Sequence, residues 1–257
     1  MKIKFLRKCA AAVMAVSVLS MGLVSNAAEG SAAVHTDNPN TSVQKVHDDS
    51  QPGMPDPTEI VIVSYDQYLS ALLDVYYRND SRAFVALGLG TAEEATAFYN
   101  EILDMELLSM ELDSFLGMEC PEEIKNDFRT LMIQLLGGAR YAVTGCEQQP
   151  DGSYEVTIIY EQMNVFNPSM ELYRAIVTDL SQTWSANYAS MPSKEDMMVQ
   201  LLAALCSSLR VCLDNVTYAE PAITTVSIKL QDDTYLPNMD DIANLESLLF
   251  DTNIVLE

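Results

Sequence analysis

The chain has 257 residues, with 14 Lys and Arg against 37 Asp and Glu, a formal charge of −23, and 49% apolar residues. So acidic a surface repels nucleic acid and anionic lipid, because phosphate binding is driven by Lys/Arg neutralisation and counterion release. The apolar fraction suits a packed globular core, and roughly 200 residues can bury about 70% of their unfolded surface in one domain.

The amino end reads as an export signal. Lys2, Lys4, Arg7 and Lys8 precede an apolar run from Cys9 to Val24, and Ser25 and Ala27 then stand where a signal peptidase reads small residues, so cleavage is expected after Ala27. The run is short and Ala/Ser-rich for a transmembrane helix, which needs about 20 apolar residues. Cys9 opens the run and does not follow it, so it is not placed for lipid attachment, and no second long apolar stretch is read downstream. Loss of residues 1–27 leaves ten basic against 37 acidic residues, a charge of −27. Ala28–Thr58 is polar, carries four prolines and has no apolar period, so it is expected to form a disordered tail. Residues 59–257 are read as one domain.

Within that domain, Leu69, Leu72, Leu73 and Tyr76 repeat at helical spacing, and the first helix should end near Asn79-Asp80. A short helix and a turn at Gly88 and Gly90 follow. Thr91 and Glu94 then form a capping box, each side chain placed to satisfy the other's backbone donor, ahead of Ala95, Phe98, Tyr99 and Ile102. Cys120-Pro121-Glu122-Glu123 opens another helix with Pro121 in its first turn. Its stripe is Ile124, Phe128, Leu131 and Leu135, and Gly137-Gly138 stop it. The period then changes to two: Tyr141 and Val143, a turn at Gln149-Pro150-Asp151-Gly152, then Tyr154, Val156, Ile158 and Tyr160 predict a β-hairpin with one wet face. Two helices follow, one after Asn167-Pro168 and one opened by Ser193 and Asp196. A strand comes next, with Thr224, Val226, Ile228 and Leu230 on one face. Asn238 caps a final helix carrying Ile242, Leu245, Leu248 and Leu249. This order predicts an α+β fold, a small antiparallel sheet (a hairpin plus a later strand) covered on one face by several amphipathic helices.

The search for chemistry is mostly a search by exclusion. The only two histidines, His35 and His47, fall in the tail, so the domain has no imidazole for a Ser-His-Asp or Cys-His centre or a His-based metal site. Gly88-Leu89-Gly90 lacks the rest of a phosphate-binding loop. Ser42-Val43-Gln44-Lys45 matches Ser-x-x-Lys without the partner motifs of penicillin-recognising enzymes. Paired carboxylates that hydrolyse glycosides remain open, with Glu101, Asp104, Glu155 and Glu161 as nominees because they flank apolar residues. Asp232-Asp233 and Asp240-Asp241 suggest Ca²⁺, but their spacing is not that of an EF-hand, and the second pair is explained as helix N-terminal charge. Cys206 and Cys212 lie six residues apart on one helix, about 9 Å of rise, beyond disulfide reach. Any bridge joins distant elements, for example Cys120 to Cys146, and a buried thiol is the other reading of Cys212. The tyrosines are read chiefly as packing, with a shared binding face as the alternative. No catalytic, cofactor-binding or metal-ligating residue is assigned.

Four stretches, "YLSALLDVYYRND" (Tyr68–Asp80), "TAEEATAFYNEIL" (Thr91–Leu103), "DGSYEVTIIY" (Asp151–Tyr160) and "VSIKLQDDTYLPNMDDIANLESLLF" (Val226–Phe250), resemble an uncharacterised family of exported proteins and lipoproteins of low-GC Gram-positive bacteria. That family has no assigned active site, so the resemblance implies export and carries over no catalytic residue; it departs here in lacking a lipid-attachment cysteine. The expectation is a secreted, non-enzymatic binding domain for an extracellular protein, peptide or glycan. The alternatives are a carboxylate-dependent glycan hydrolase and a structural spacer.

Overall fold

The structure, a computed structural model, describes residues 41–43, 62–109, 119–187, 191–231 and 234–251. Among the described residues seven helices surround a small antiparallel sheet, the α+β arrangement expected. Strand β1 (Thr41–Val43) pairs antiparallel with β2 (Ile62–Ser64). Three residues of the stretch read as a tail are therefore paired, and the rest of that stretch, with the export signal, Cys9 and both histidines, lies outside the described residues.

Helix α1 (Tyr65–Arg78) follows directly. Asn79 ends it in the left-handed region at φ 51°, its N–H donating to Val75 O, a conformation asparagine tolerates because its side chain bonds locally. Short α2 (Arg82–Ala86) and α3 (Ala92–Ser109) come next. The capping box forms as expected: Thr91 N donates to Glu94 Oε2 at 2.8 Å, and Glu94 N to Thr91 Oγ1 at 3.2 Å. Helix α4 spans Glu122–Gly137, with Pro121 one position earlier than expected, at the cap.

Four strands form the main sheet in the order β3-β4-β7-β8: Arg140–Gln148, Tyr154–Glu161, Ala222–Gln231 and Thr234–Pro237. A bulge at Thr144 shifts the β3–β4 register between Val143 and Gly145. The hairpin turn closes with Gly152 at φ 85° and its N–H on Gln149 O. Strand β8 is not among the strands expected from the sequence. Leu230 also departs from it: Val226 and Ile228 are buried, but Leu230 is 56% exposed, because it pairs only with Tyr235 of the short edge strand.

Between β4 and β7 run β5 (Met163–Asn164), α5 (Phe166–Ala186), α6 (Lys194–Asp214) and β6 (Thr217–Tyr218), and α7 (Met239–Leu249) follows β8. Helix α6 starts on the expected Ser193 cap, which accepts from Asp196 N. By length and composition, α6 is apolar enough to cross a membrane, so the chain does contain a second long apolar run that the stripe-by-stripe reading overlooked. Here it packs between α5 and α4.

The layers follow from these contacts. Helices α1 and α7 lie on the sheet, α3 and α4 on α1, α6 on α4, and α5 on α6. Helix α1 is the centre: Leu69, Ala71, Leu73, Val75, Tyr76 and Tyr77 are all fully buried. Each large apolar side chain so enclosed contributes about 1.5–3 kcal/mol.

A residue near the chain's end anchors the α5–α6 arm. Asp251 Oδ1 accepts from Val165 N and Phe166 N at 3.0 and 2.8 Å, and Oδ2 from Asn167 N at 2.9 Å. It satisfies three donors at the start of α5, a helix with no side-chain cap of its own. Asp251→Ala is expected to cost about 1–3 kcal/mol and lower the midpoint of thermal unfolding by several degrees. Asp251→Asn, which keeps one acceptor, should recover part of it. Unchanged melting in Asp251→Ala would show that water caps α5 equally well.

Candidate functional site

The polar residues sealed in the core include two acids that the sequence reading did not nominate. Glu106 on α3 and Glu246 on α7 are both fully buried, and they meet beside Tyr76 and Tyr77 of α1. Tyr76 donates its hydroxyl to Glu246 Oε1 at 3.1 Å. The other oxygen of Glu246 and the Tyr77 hydroxyl have no hydrogen-bond partner among the described residues. Helical spacing explains why the residues converge: Ile242, Leu245 and Leu249 point α7 into the core, and Glu246 follows Leu245 on the same side.

Burial decides the charge state. Removing a carboxylate from water without a cation costs more than protonating it. Desolvation accordingly raises Glu106 to about 8, and desolvation together with the nearby Glu106 carries Glu246 well above the carboxylate range. Burial first, and the Glu246 carboxyl second, hold the Tyr76 and Tyr77 phenols protonated. Near neutral pH the pair is therefore largely neutral and works as donors and acceptors, not as an ion cluster.

The surface nominees do not meet in this way. Asp104 pairs with Arg129, and Glu161 with Arg140 at 2.9 Å. Glu101 and Glu155 are exposed, and Glu155 and Glu161 stand near opposite ends of β4. Asp241 accepts from Ser227 N at 2.9 Å and Asp240 lies in the first turn of α7, both structural roles; Asp232-Asp233 lie outside the described residues. Among the described residues no three His, Cys, Asp or Glu side chains group for a metal. A glycosidase needs its two acids flanking a substrate-filled cleft. Glu106 and Glu246 are enclosed on every side.

Six of the twelve tyrosines fall into two packed clusters. Tyr65, Tyr154 and Tyr235 contact one another at centroid distances of 4.2, 5.1 and 5.5 Å. Tyr77 meets Tyr76, Tyr141 and Phe250. Most of these rings are buried, so packing explains them.

Two surfaces remain. A cleft of about 290 Å³ lies between Gln134 and Gly138 of the α4 end, Met163 of β5, and Leu213, Asp214, Val216 and Tyr218. It is at the low end for a small-molecule site. Its Tyr218 is already engaged, donating to Gly138 O at 2.9 Å beneath the Arg140 guanidinium, 3.6 Å from the ring centroid. The second surface is the sheet face turned away from α1 and α7. There Ala142, Ile159 and Ile223 are cross-strand neighbours on three adjacent strands, and all three are exposed, Ile223 at 69%. Thr157 and Thr225 form the next row, and the Arg140–Glu161 pair flanks it.

No family model matches the chain, and no curated protein matches it. Among solved structures it is similar to a candidate lipoprotein, YcdA, from Bacillus subtilis, with a TM-score of 0.41 and 16% identity. The match covers 71% of this chain and 54% of that one, so the chain spans about half the length of the protein it matches.

The neutral acid pair makes stability depend on pH. The unfolded carboxyls ionise near 4.3, while the folded ones keep their protons to about 8 or beyond. Folded pKa values raised in this direction leave stability intact below the unfolded pKa and remove it as pH climbs between the two values, by up to about 1.4 kcal/mol per pH unit for each carboxyl. Glu246→Gln, which is neutral at every pH, should therefore gain on wild type in urea unfolding as pH goes from 5 to 8. Parallel wild-type and variant curves would show that the pair is ionised in the fold.

Proposed function

We infer that the chain is an exported protein that works outside the cytoplasm as a non-enzymatic binding domain, engaging a protein or peptide through the uncovered face of its sheet. The observation that carries this reading is the Ala142–Ile159–Ile223 row. An antiparallel sheet that leaves one face in water ordinarily shows polar residues there, and isolated exposed apolar residues mean little. Here the apolar residues are contiguous across three strands, bordered by threonines and one ion pair, the pattern of an apolar contact with a polar rim. The excess of acidic residues favours a partner with basic groups, through steering and complementarity. Export is supported by the basic start, apolar run and small residues at Ser25 and Ala27.

Two measurements test the reading. Protein recovered from culture medium should begin at Ala28 by terminal sequencing; intact Met1 on a cytoplasmic protein would refute export. For the face, Ile159→Thr/Ile223→Thr keeps β-branched residues in the strands, so unfolding should shift by less than about 1 kcal/mol. With wild type as bait against a cell-surface fraction, a basic protein or peptide should be captured and the double variant should fail to hold it. Equal capture by both would place binding elsewhere.

A further inference from the structure

We propose that Cys120 and Cys206 are the site of an intramolecular disulfide that ties the start of α4 to the middle of α6. The four described cysteines fall into two groups. Cys120 and Cys206, each 2% exposed, belong to one side-chain cluster with Ile124, Phe128, Leu131 and Leu202. Cys146 and Cys212 pack instead against the main core around α1. The Cys120–Cys146 bridge offered from sequence is therefore not the pairing this fold favours, since its two residues serve different clusters.

The helix register brings the first pair together. Arg210 of α6 donates to Asp127 of α4 at 2.9 Å. Further along both helices, Leu213 and Asp214 border the same cleft as Gln134 and Gly138, so α4 and α6 run in the same direction. Stepping back one turn from Arg210–Asp127 places Cys206 level with Glu123, and Cys120 lies just ahead of Glu123, before Pro121 begins the helix. Cys120 precedes the regular helix, and its thiol is turned to its neighbour's carbonyl, Pro121 O, at 3.7 Å. A bond between the two needs the Cys120 side chain to turn from Pro121 O toward α6. Burial, with Asp127 and Cys120 nearby, raises the Cys206 thiol to about 12, so in the finished fold it is a poor nucleophile. The bond is thus made during folding, while the cluster is open.

The step is thiol–disulfide exchange with a disulfide oxidant, small-molecule or protein. One cysteine thiolate attacks the oxidant's S–S bond and expels a thiol; the second attacks the mixed disulfide and expels the other. One S–S bond forms and one breaks, two electrons pass to the oxidant, and the two protein protons end on the released thiols. The oxidising surroundings that sustain such a bond in the cell rest on the export reading, but the geometry does not.

The experiment uses the chain from Ala28 onward, refolded from denaturant in reduced and oxidised glutathione, alkylated, digested and mapped by mass spectrometry. The expected result is one cross-linked peptide pair containing Cys120 and Cys206, with Cys146 and Cys212 alkylated. The oxidised form should unfold roughly 5–15 °C above the reduced one, as expected for closing a loop of this length in a domain of this size. Cys120→Ser and Cys206→Ser should each abolish that difference, and Cys146→Ser should keep it. Alkylation of all four cysteines, or Cys120 joined to Cys146 or Cys212, would overturn the proposal. Because the assay does not involve secretion, a Cys120–Cys206 bond found together with a cytoplasmic protein would sink the export reading and leave this pairing standing.

Discussion

A helix that keeps one narrow stripe, Asp66, Ser70, Asp74 and Arg78, toward water must bury the hydroxyls on its other faces, and that constraint governs the middle of this molecule. Helix α1 touches the sheet, α3 and α4, and its Tyr76 and Tyr77 are wholly buried. Their rings fill volume that aliphatic side chains would leave open, but each brings a polar atom that must be satisfied or borne as a cost. The Tyr76–Glu246 bond is one solution, and it obliges a carboxyl to enter the core in its neutral form. Glu106 raises the cost of ionising Glu246 further, so α1, α3 and α7 are held in one arrangement by apolar packing and by a proton inventory.

What could be read from the sequence was what is local. The Thr91–Glu94 box, the Ser193 and Asn238 caps, the helix end at Asn79 and the Gly152 turn depend on residues within four positions of one another, and each formed as expected. The hairpin was legible for the same reason, since its alternation reports one wet face whatever covers the other. Features set by distant partners were not. Glu246 lies 170 positions from Tyr76, and nothing in "NLESLLF" separates a core glutamate from a solvated one except its place beside Leu245. Asp251 belongs to no sequence pattern, and its role comes only from Val165, Phe166 and Asn167 being brought against it. Strand β8 was missed because four residues ending in proline carry too little pattern, and it forms only because β7 supplies the ladder.

The same distinction separates the two kinds of acid. The nominated carboxylates flanked apolar residues in sequence, which on a helix or strand means an adjacent face and therefore water. The acids that the fold perturbs lie on the apolar stripe itself. A carboxyl in register with core leucines is the better signal for a shifted proton equilibrium, although here it leads to packing and not to an opening through which a substrate could pass. The uncovered sheet face is correspondingly plain: it carries the Ala142–Ile159–Ile223 row, on strands whose other side is committed to α1 and α7.

Asp251 gives the fold a particular order of completion. Protein chains emerge amino end first, and the group that pins the base of the α5–α6 arm follows every regular element among the described residues. Helix α7, which seals the tyrosine hydroxyls, emerges just before it. Until α7 and Asp251 have left the ribosome, the base of the arm lacks its three-acceptor clasp and Tyr76 lacks its carboxyl partner.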